Sequence, residues 1–159
     1  MPERITVEQR SAVMRSVRAT GTGAEAAFAA LRLRWRFRTQ ARDLPGTPDF
    51  AHDGLRVAIF VDGDFWHGRW WFERRAAPEG NRNYWIAKFE RNHARDLAVD
   101  RALRRRGWAV VRIWESELRA DPTSVKARLA DRLAKRARRR CRRELSGRHV
   151  AANRFHRSG

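Results

Sequence analysis

A run of five apolar residues, Val57-Ala58-Ile59-Phe60-Val61, set between Asp53-Gly54 and Asp62-Gly63-Asp64, limits the fold of this chain more than any other feature. Its lack of polar alternation predicts that the strand expected over Leu55 to Val61 is a central one. Asp53-Gly54 is a turn pair, and Asp49-Phe50-Ala51 precedes it, so the two strands should run antiparallel. The stretch from Pro45 to Gly68 thereby gathers Asp49, Asp62, Asp64 and His67 near strand ends. Carboxylates grouped in this way suit a hard divalent cation. Lys and Arg number 36 against 18 acidic residues, a formal charge of +18, so the substrate should be a polyanion. Metal and polyanion together point to phosphodiester cleavage.

The remaining elements follow from apolar spacing. Helices are predicted over residues 6–17 and 24–33, separated by Thr20-Gly21-Thr22-Gly23, with a short strand over residues 36–40 and a turn at Leu44-Pro45-Gly46. Residues 68–83 mix Gly, Pro, Asn, Arg and aromatics without a period and read as a long ordered surface loop. A helix is expected over residues 84–106, closed by Gly107, then a strand from Trp108 to Trp114. Helix followed by strand favours a parallel crossover, so the fold class is α/β, a mixed sheet flanked by helices. A last helix is expected over residues 123–138. One domain, residues 1–140, should precede a flexible basic tail, residues 141–159. No apolar run approaches a membrane span, and the opening MPERITVEQR is too polar for a secretory signal, so a cytoplasmic, nucleoid-associated protein is expected. Cys141 is the single cysteine, which excludes an intrachain disulfide and a cysteine-based zinc site within one chain.

Asp49 follows Pro48, so its backbone should be extended and its carboxylate fixed. Asp62 closes the next strand, either as a metal ligand or as the cap of an Asp62-Gly63 turn. His67 is a candidate general base, because an imidazole accepts a proton near neutral pH; a lone histidine after aromatic residues is more often structural, and the carboxylates nearby favour the first reading. Glu25, early in a predicted helix, is explained by favourable interaction with the helix dipole and by itself would not be singled out. Lys88, Asn92 and Arg95 share a helical face and would meet either phosphate or solvent. Phe65, Trp66, Trp70, Trp71, Tyr84 and Trp85 are unusually concentrated; large aromatics amid arginines can enter a base stack and kink DNA, and core packing is the alternative.

The segments RSAVMRSVRATGTGAE, LPGTPDF, AIFVDGDFWHG, NYWIAKFERNHARD and GWAVVRIWESEL together resemble the very short patch repair endonucleases, the Vsr family, over most of Gln9 to Leu118. The resemblance implies a restriction-endonuclease-like fold of the PD-(D/E)xK type and Mg²⁺-dependent nicking of one strand beside a T:G mismatch left by deamination of 5-methylcytosine. It implies Asp49 as the principal metal ligand, the Val61 carbonyl as a second, His67 as the group that activates water, and Glu25 in support. Phe65, Trp66 and Trp85 match residues that enter the DNA stack. Two positions depart from the family. Asp62 replaces a catalytic histidine and is expected to ligate metal directly; Asp64 and Ser116 stand at cysteine ligand positions of a structural zinc, and Gly68-Arg69-Trp70 replaces the adjoining His/Cys cluster, so no zinc is expected. The implied partners are mismatched duplex DNA, mismatch-repair proteins and a DNA cytosine methyltransferase, for a chain acting as a monomer away from membranes. The alternatives are a sequence-specific or defence-associated nickase without strict mismatch selectivity, and a non-catalytic DNA-binding module. Against the last stands the acidic cluster, which simple phosphate binding does not need.

Overall fold

The structure, a computed structural model, describes residues 23, 26–64, 66–75 and 81–155, with side chains as far as residue 143. The helix expected over residues 6–17, together with Glu25 and Phe65, lies outside the described residues. In chain order the elements are a short helix over residues 26–30, then β1 (Arg38–Thr39), β2 (Phe50–His52), β3 (Val57–Asp62), α1 (Arg69–Arg74), α2 (Arg82–Arg105), β4 (Ala109–Trp114), α3 (Glu115–Ala120) and α4 (Pro122–Phe155). The four strands form one sheet in the order β1-β2-β3-β4. β1 and β3 are antiparallel to β2, while β4 is parallel to β3, with Val57 opposite Ala109 and Asp62 opposite Trp114. A mixed α/β sheet was the expectation, and α2 supplies the crossover that a parallel pair requires.

The apolar run of β3 exists because both faces of the sheet are covered. On one face Val57, Ile59, Val111 and Ile113 pack with Phe28, Leu31 and the α4 stripe Val125, Leu129 and Leu133, spaced four residues apart. Phe28 stacks on Phe50 with ring centroids 3.9 Å apart. On the other face Ala51, Ala58, Phe60 and Val110 meet Ala41, Leu44 and the α2 residue Leu103. Gly46 lets the loop before β2 sit against α2: its φ is 74°, and a Cβ there would come within 2.5 Å of Val99.

Three expectations are corrected. β3 begins at Val57 instead of Leu55, because the turn that opens with Asp53-Gly54 runs on to Arg56, whose N–H donates to the Asp53 carbonyl at 3.0 Å with φ 50°. The segment predicted as a loop from residue 68 begins with α1, because residues 69–74 hold no Gly or Pro and Arg69 pairs with Glu73 one turn on, at 2.9 Å. The last helix runs on to Phe155 instead of ending near Arg138. No proline interrupts residues 123–155, which are rich in Ala, Arg and Leu, and the side chains of Arg136 and Arg140 donate to the carbonyls of Leu55 and Gly54. Its start is set by Asp121, whose Oδ1 accepts from Ser124 N at 2.9 Å, with Pro122 in the first helical position. Among the described residues no helix is long and apolar enough to cross a membrane.

Candidate active site

The loop before β2 and the end of β3 fix Asp49. Its backbone carbonyl accepts from Gln40 N at 2.9 Å, and its Oδ2 accepts from Val61 N at 2.8 Å. β2 begins only at Phe50, opposite Ile59, so Val61 N lies past the end of that ladder. The Asp49 carboxylate takes the place of the missing strand partner and is thereby held at the C-terminal end of β3.

His67 comes from the turn after β3. Its Nδ1 lies 2.7 Å from Asp96 Oδ2 on α2, and its Nε2 lies 3.6 Å from Asp62 Oδ1. The short contact places the proton on Nδ1 and leaves Nε2 as the basic nitrogen. Burial by itself would lower the His67 pKa, but the Asp96 hydrogen bond and the nearby Asp62 charge together raise it above the ordinary value. Asp96 moves the other way: burial pushes its carboxyl up, and the bond to His67 with the charge of Arg112 brings it below its usual range.

Asp62 is 6% exposed, and both its oxygens accept from Arg112 Nη1 at 2.9 Å. Burial dominates there and pushes the Asp62 carboxyl up in spite of Arg112 and His67. Arg112 lies beside Asp62 on the α2 face of the sheet, and it also reaches Asp100 at 3.0 Å and Asp96 at 3.6 Å. The carboxylate expected to ligate metal is therefore engaged by a guanidinium, whose charge disfavours a cation at the same oxygens.

The aromatic residues adjoin this cluster. The Trp66 and Trp85 rings are 6.3 Å apart, Trp85 lies 6.0 Å from Phe89, and Lys88 Nζ stands 4.9 Å and 5.3 Å from the Trp66 and Trp85 rings. Asn92 donates through its side-chain amide to the Trp66 carbonyl at 2.8 Å, so it holds the turn as well as sharing a face with Lys88. Arg95 is exposed on α2. Gly68 closes the turn at φ 65°, where a Cβ would fall 2.8 Å from Phe89.

No group of three or more His, Cys, Asp or Glu able to hold a metal occurs among the described residues. What the site offers is the Asp49 carboxylate and the Val61 carbonyl, both hard oxygen donors. That set fits an ion such as Mg²⁺, which keeps several waters and takes one or two carboxylates together with substrate phosphate oxygens.

Residues 3–73 match the family described as DNA mismatch endonuclease Vsr. The type II nicking enzyme V.NmeDIP of Neisseria meningitidis serogroup C is 43% identical over 125 residues, which cover 76% of this chain and 83% of that protein. The chain belongs to the Vsr family. The type II nicking enzyme V.XorIIP of Xanthomonas oryzae pv. oryzae is 38% identical over 131 residues, 81% of this chain and 95% of its own length. The DNA mismatch endonuclease Vsr of Escherichia coli K12 is 33% identical over 126 residues, 78% of this chain and 80% of its own length. The Vsr match covers Asp49, Val61, Asp62, Trp66 and His67, whereas Asp96 and Arg112, which sequence reasoning missed, lie beyond it. Both had a signal. Asp96 and Asp100 repeat at helical spacing on one face of α2, and Arg112 is a lone charge within the apolar strand Ala109–Trp114, which calls for a buried partner.

Proposed function

We propose that this DNA endonuclease nicks one strand of duplex DNA at a T:G mismatch, using Mg²⁺, on a nuclease fold of the PD-(D/E)xK type. The observation that carries the reading is the gathering near one end of β3 of a fixed carboxylate, Asp49, a histidine held by Asp96, and Trp66, the residue before that histidine, with its ring beside Trp85 of α2. Asp49 and the Val61 carbonyl would hold the metal, which supplies charge stabilisation at the scissile phosphate.

His67 Nε2 takes a proton from the attacking water as that water's oxygen forms the new P–O bond; the strand's own P–O bond breaks, and the departing oxygen takes up a proton from solvent. Asp96 keeps the imidazole in the required tautomer and balances its charge. Arg112 neutralises Asp62, so that carboxylate presents less negative charge to the incoming backbone; Asp62 thus positions His67 and Arg112 more than it binds metal. Trp66 and Trp85, with Lys88 against their faces, test how easily a base pair unstacks, which is easier at a mismatch. The family resemblance implies a DNA-contacting role for Phe65 as well, and a supporting role for Glu25 in the chemistry. Arg95 and the exposed arginines of α4 supply phosphate contacts. On this reading a DNA cytosine methyltransferase generates the lesion, and mismatch-repair proteins act on the nick made by a monomer.

A second reading, a nickase without strict mismatch selectivity, is favoured by the names of two of the relatives above, which are type II nicking enzymes. Duplexes of randomised flanks carrying T:G or T:A at one position separate the two. Nicking confined to T:G with Mg²⁺ supports the first, and equal nicking of T:A the second. Asp49→Ala should lower the rate about 10³-fold or more, several kcal/mol of charge stabilisation; unchanged cleavage sinks both.

A further inference from the structure

The turn that presents Trp66 and His67 is closed by a polar cluster separate from the groups assigned to chemistry. Asp64 stands at its start, Arg69 at its end, and Ser116 in the first turn of α3. Asp64 Oδ1 accepts from Ser116 Oγ at 2.5 Å and from Arg69 Nη1 at 3.0 Å, and Asp64 Oδ2 accepts from Ser116 N at 3.0 Å. Arg69 Nη1 also lies 2.7 Å from Ser116 Oγ, its Nε donates to Glu73 at 2.9 Å, and its Nη2 is 3.7 Å from Glu117. The guanidinium lies 5.4 Å from the Trp114 ring, across the end of β4. Backbone bonds complete the turn: Arg69 N to Asp64 O at 2.9 Å and His67 N to Gly63 O at 3.1 Å.

We propose that Asp64, Arg69 and Ser116 form a metal-independent clamp that positions the turn, so that His67 meets Asp96 and Trp66 meets Trp85. The donor chemistry does not fit zinc. A structural zinc needs four thiolate, imidazole or carboxylate ligands arranged tetrahedrally. Here Asp64 already serves three donors, Glu73 and Glu117 are paired with Arg69, and the other groups are a hydroxyl and that guanidinium, whose positive charge opposes a cation. The same fork that excludes a cation supplies the cross-link: one planar group joins the end of the turn to its beginning and to α3. Because α3 follows β4 directly, the clamp also fixes the turn to the strand that carries Arg112.

These are positioning residues, and their activity readout rests on the nicking proposed above. The experiment compares the native protein with Ser116→Ala, which removes the hydroxyl, Ser116→Thr, which keeps it, and Arg69→Lys, which keeps the charge but loses the fork. Each is measured for kcat and KM on a duplex substrate, for amide hydrogen exchange over residues 64–69, and for bound zinc by elemental analysis. Expected are kcat values about 10- to 100-fold lower for Ser116→Ala and Arg69→Lys, as misplacement of a reacting group by about 1 Å produces. KM should stay within about twofold and exchange at His67 and Arg69 should quicken, while Ser116→Thr restores both. The clamp is overturned if Ser116→Ala and Arg69→Lys exchange like the native protein, or if the native protein carries one zinc per chain whose removal unfastens the turn. A native protein that nicks no duplex overturns the nicking reading instead, and exchange and zinc content still decide the clamp.

Discussion

The two faces of the sheet are made from the same two strands and carry opposite burdens. Toward α4, Val57 and Ile59 of β3 and Val111 and Ile113 of β4 stay apolar to the strand ends, and Val125, Leu129 and Leu133 close over them. Toward α2 the strands begin with Ala58 and Val110 and then turn charged, with Arg112 and Asp62 from the sheet facing Asp96 and Asp100 from the helix. The first face is bound by hydrophobic burial, which is non-directional and tolerates exchange of similar shapes. The second depends on pairing, where removal of one partner strands a buried charge. Stability should therefore respond on both sides of the sheet, and rate on the second alone.

The sharpest separation comes from His67→Ala, which should reduce single-turnover nicking per folded molecule about 10²- to 10⁴-fold, the usual worth of a positioned base, while the loss of Asp96's partner lowers stability as well. Asp96→Asn, which leaves the imidazole in place but unheld, should fall between it and the native protein. Nicking by His67→Ala within a fewfold of native would leave this face without its base. The opposite expectation holds for Leu129→Ala, a fully buried residue on the α4 face. It should cost about 2–5 kcal/mol in denaturant unfolding and leave kcat per folded molecule unchanged. If kcat falls with stability, the two faces are not independent.

The α4 face was legible in the sequence because its signal is periodic. The run Val57–Val61, the spacing of Val125, Leu129 and Leu133, and the Asp53-Gly54 turn pair each announce an element locally. Asp49 and His67 were legible for a different reason, since both lie within one short stretch. The α2 face was not, because its partners are 12 to 50 residues apart: Arg112 meets Asp100 from the preceding helix and Asp62 from the neighbouring strand. Such pairings depend on register, and a shift of one residue would have turned Asp62 to the other face. The same limit hid the clamp, where Asp64 and Ser116 read from sequence as departures from a cysteine pattern and meet only when β3 and β4 lie side by side. The end of α4 was misjudged because a basic run with little to bury offers no periodic face. Composition favours helix throughout, and Arg136 and Arg140 tie its middle to the carbonyls of Leu55 and Gly54.

Gly68→Ala probes a point where backbone and site are joined. At φ 65° the substitution is strained by itself, and the added carbon meets Phe89 at 2.8 Å. A loss of about 1–3 kcal/mol is expected. Because the neighbouring residue is His67, kcat should fall as well, unlike Leu129→Ala. A stability loss with native kcat would detach the turn from the chemistry.

The smallest expected effect concerns Asp64 and is read as a function of pH. Burial by itself raises its carboxyl, but the Ser116 hydroxyl and N–H with the Arg69 guanidinium outweigh it and hold the pKa below the ordinary range. Glu73 and Glu117 meet Arg69 at Nε and Nη2 whereas Asp64 meets it at Nη1, and Ser116 donates to Asp64 from α3. A carboxylate depressed on folding adds stability above its unfolded pKa of about 3.9 and loses it as the pH falls through the folded value. Asp64→Asn should thus cost about 1–3 kcal/mol at neutral pH, the worth of hydrogen bonds to a charged group, and progressively less between about pH 5 and pH 2. His67 and Asp62 are shifted upward, so they favour the folded state on the acid side, and they cancel to first order when the variant is compared with the native chain. Urea unfolding of both proteins across that range measures the difference directly. A difference that does not contract in acid would mean that the clamp gains nothing from the charge on Asp64, and that shape alone ties the turn to α3.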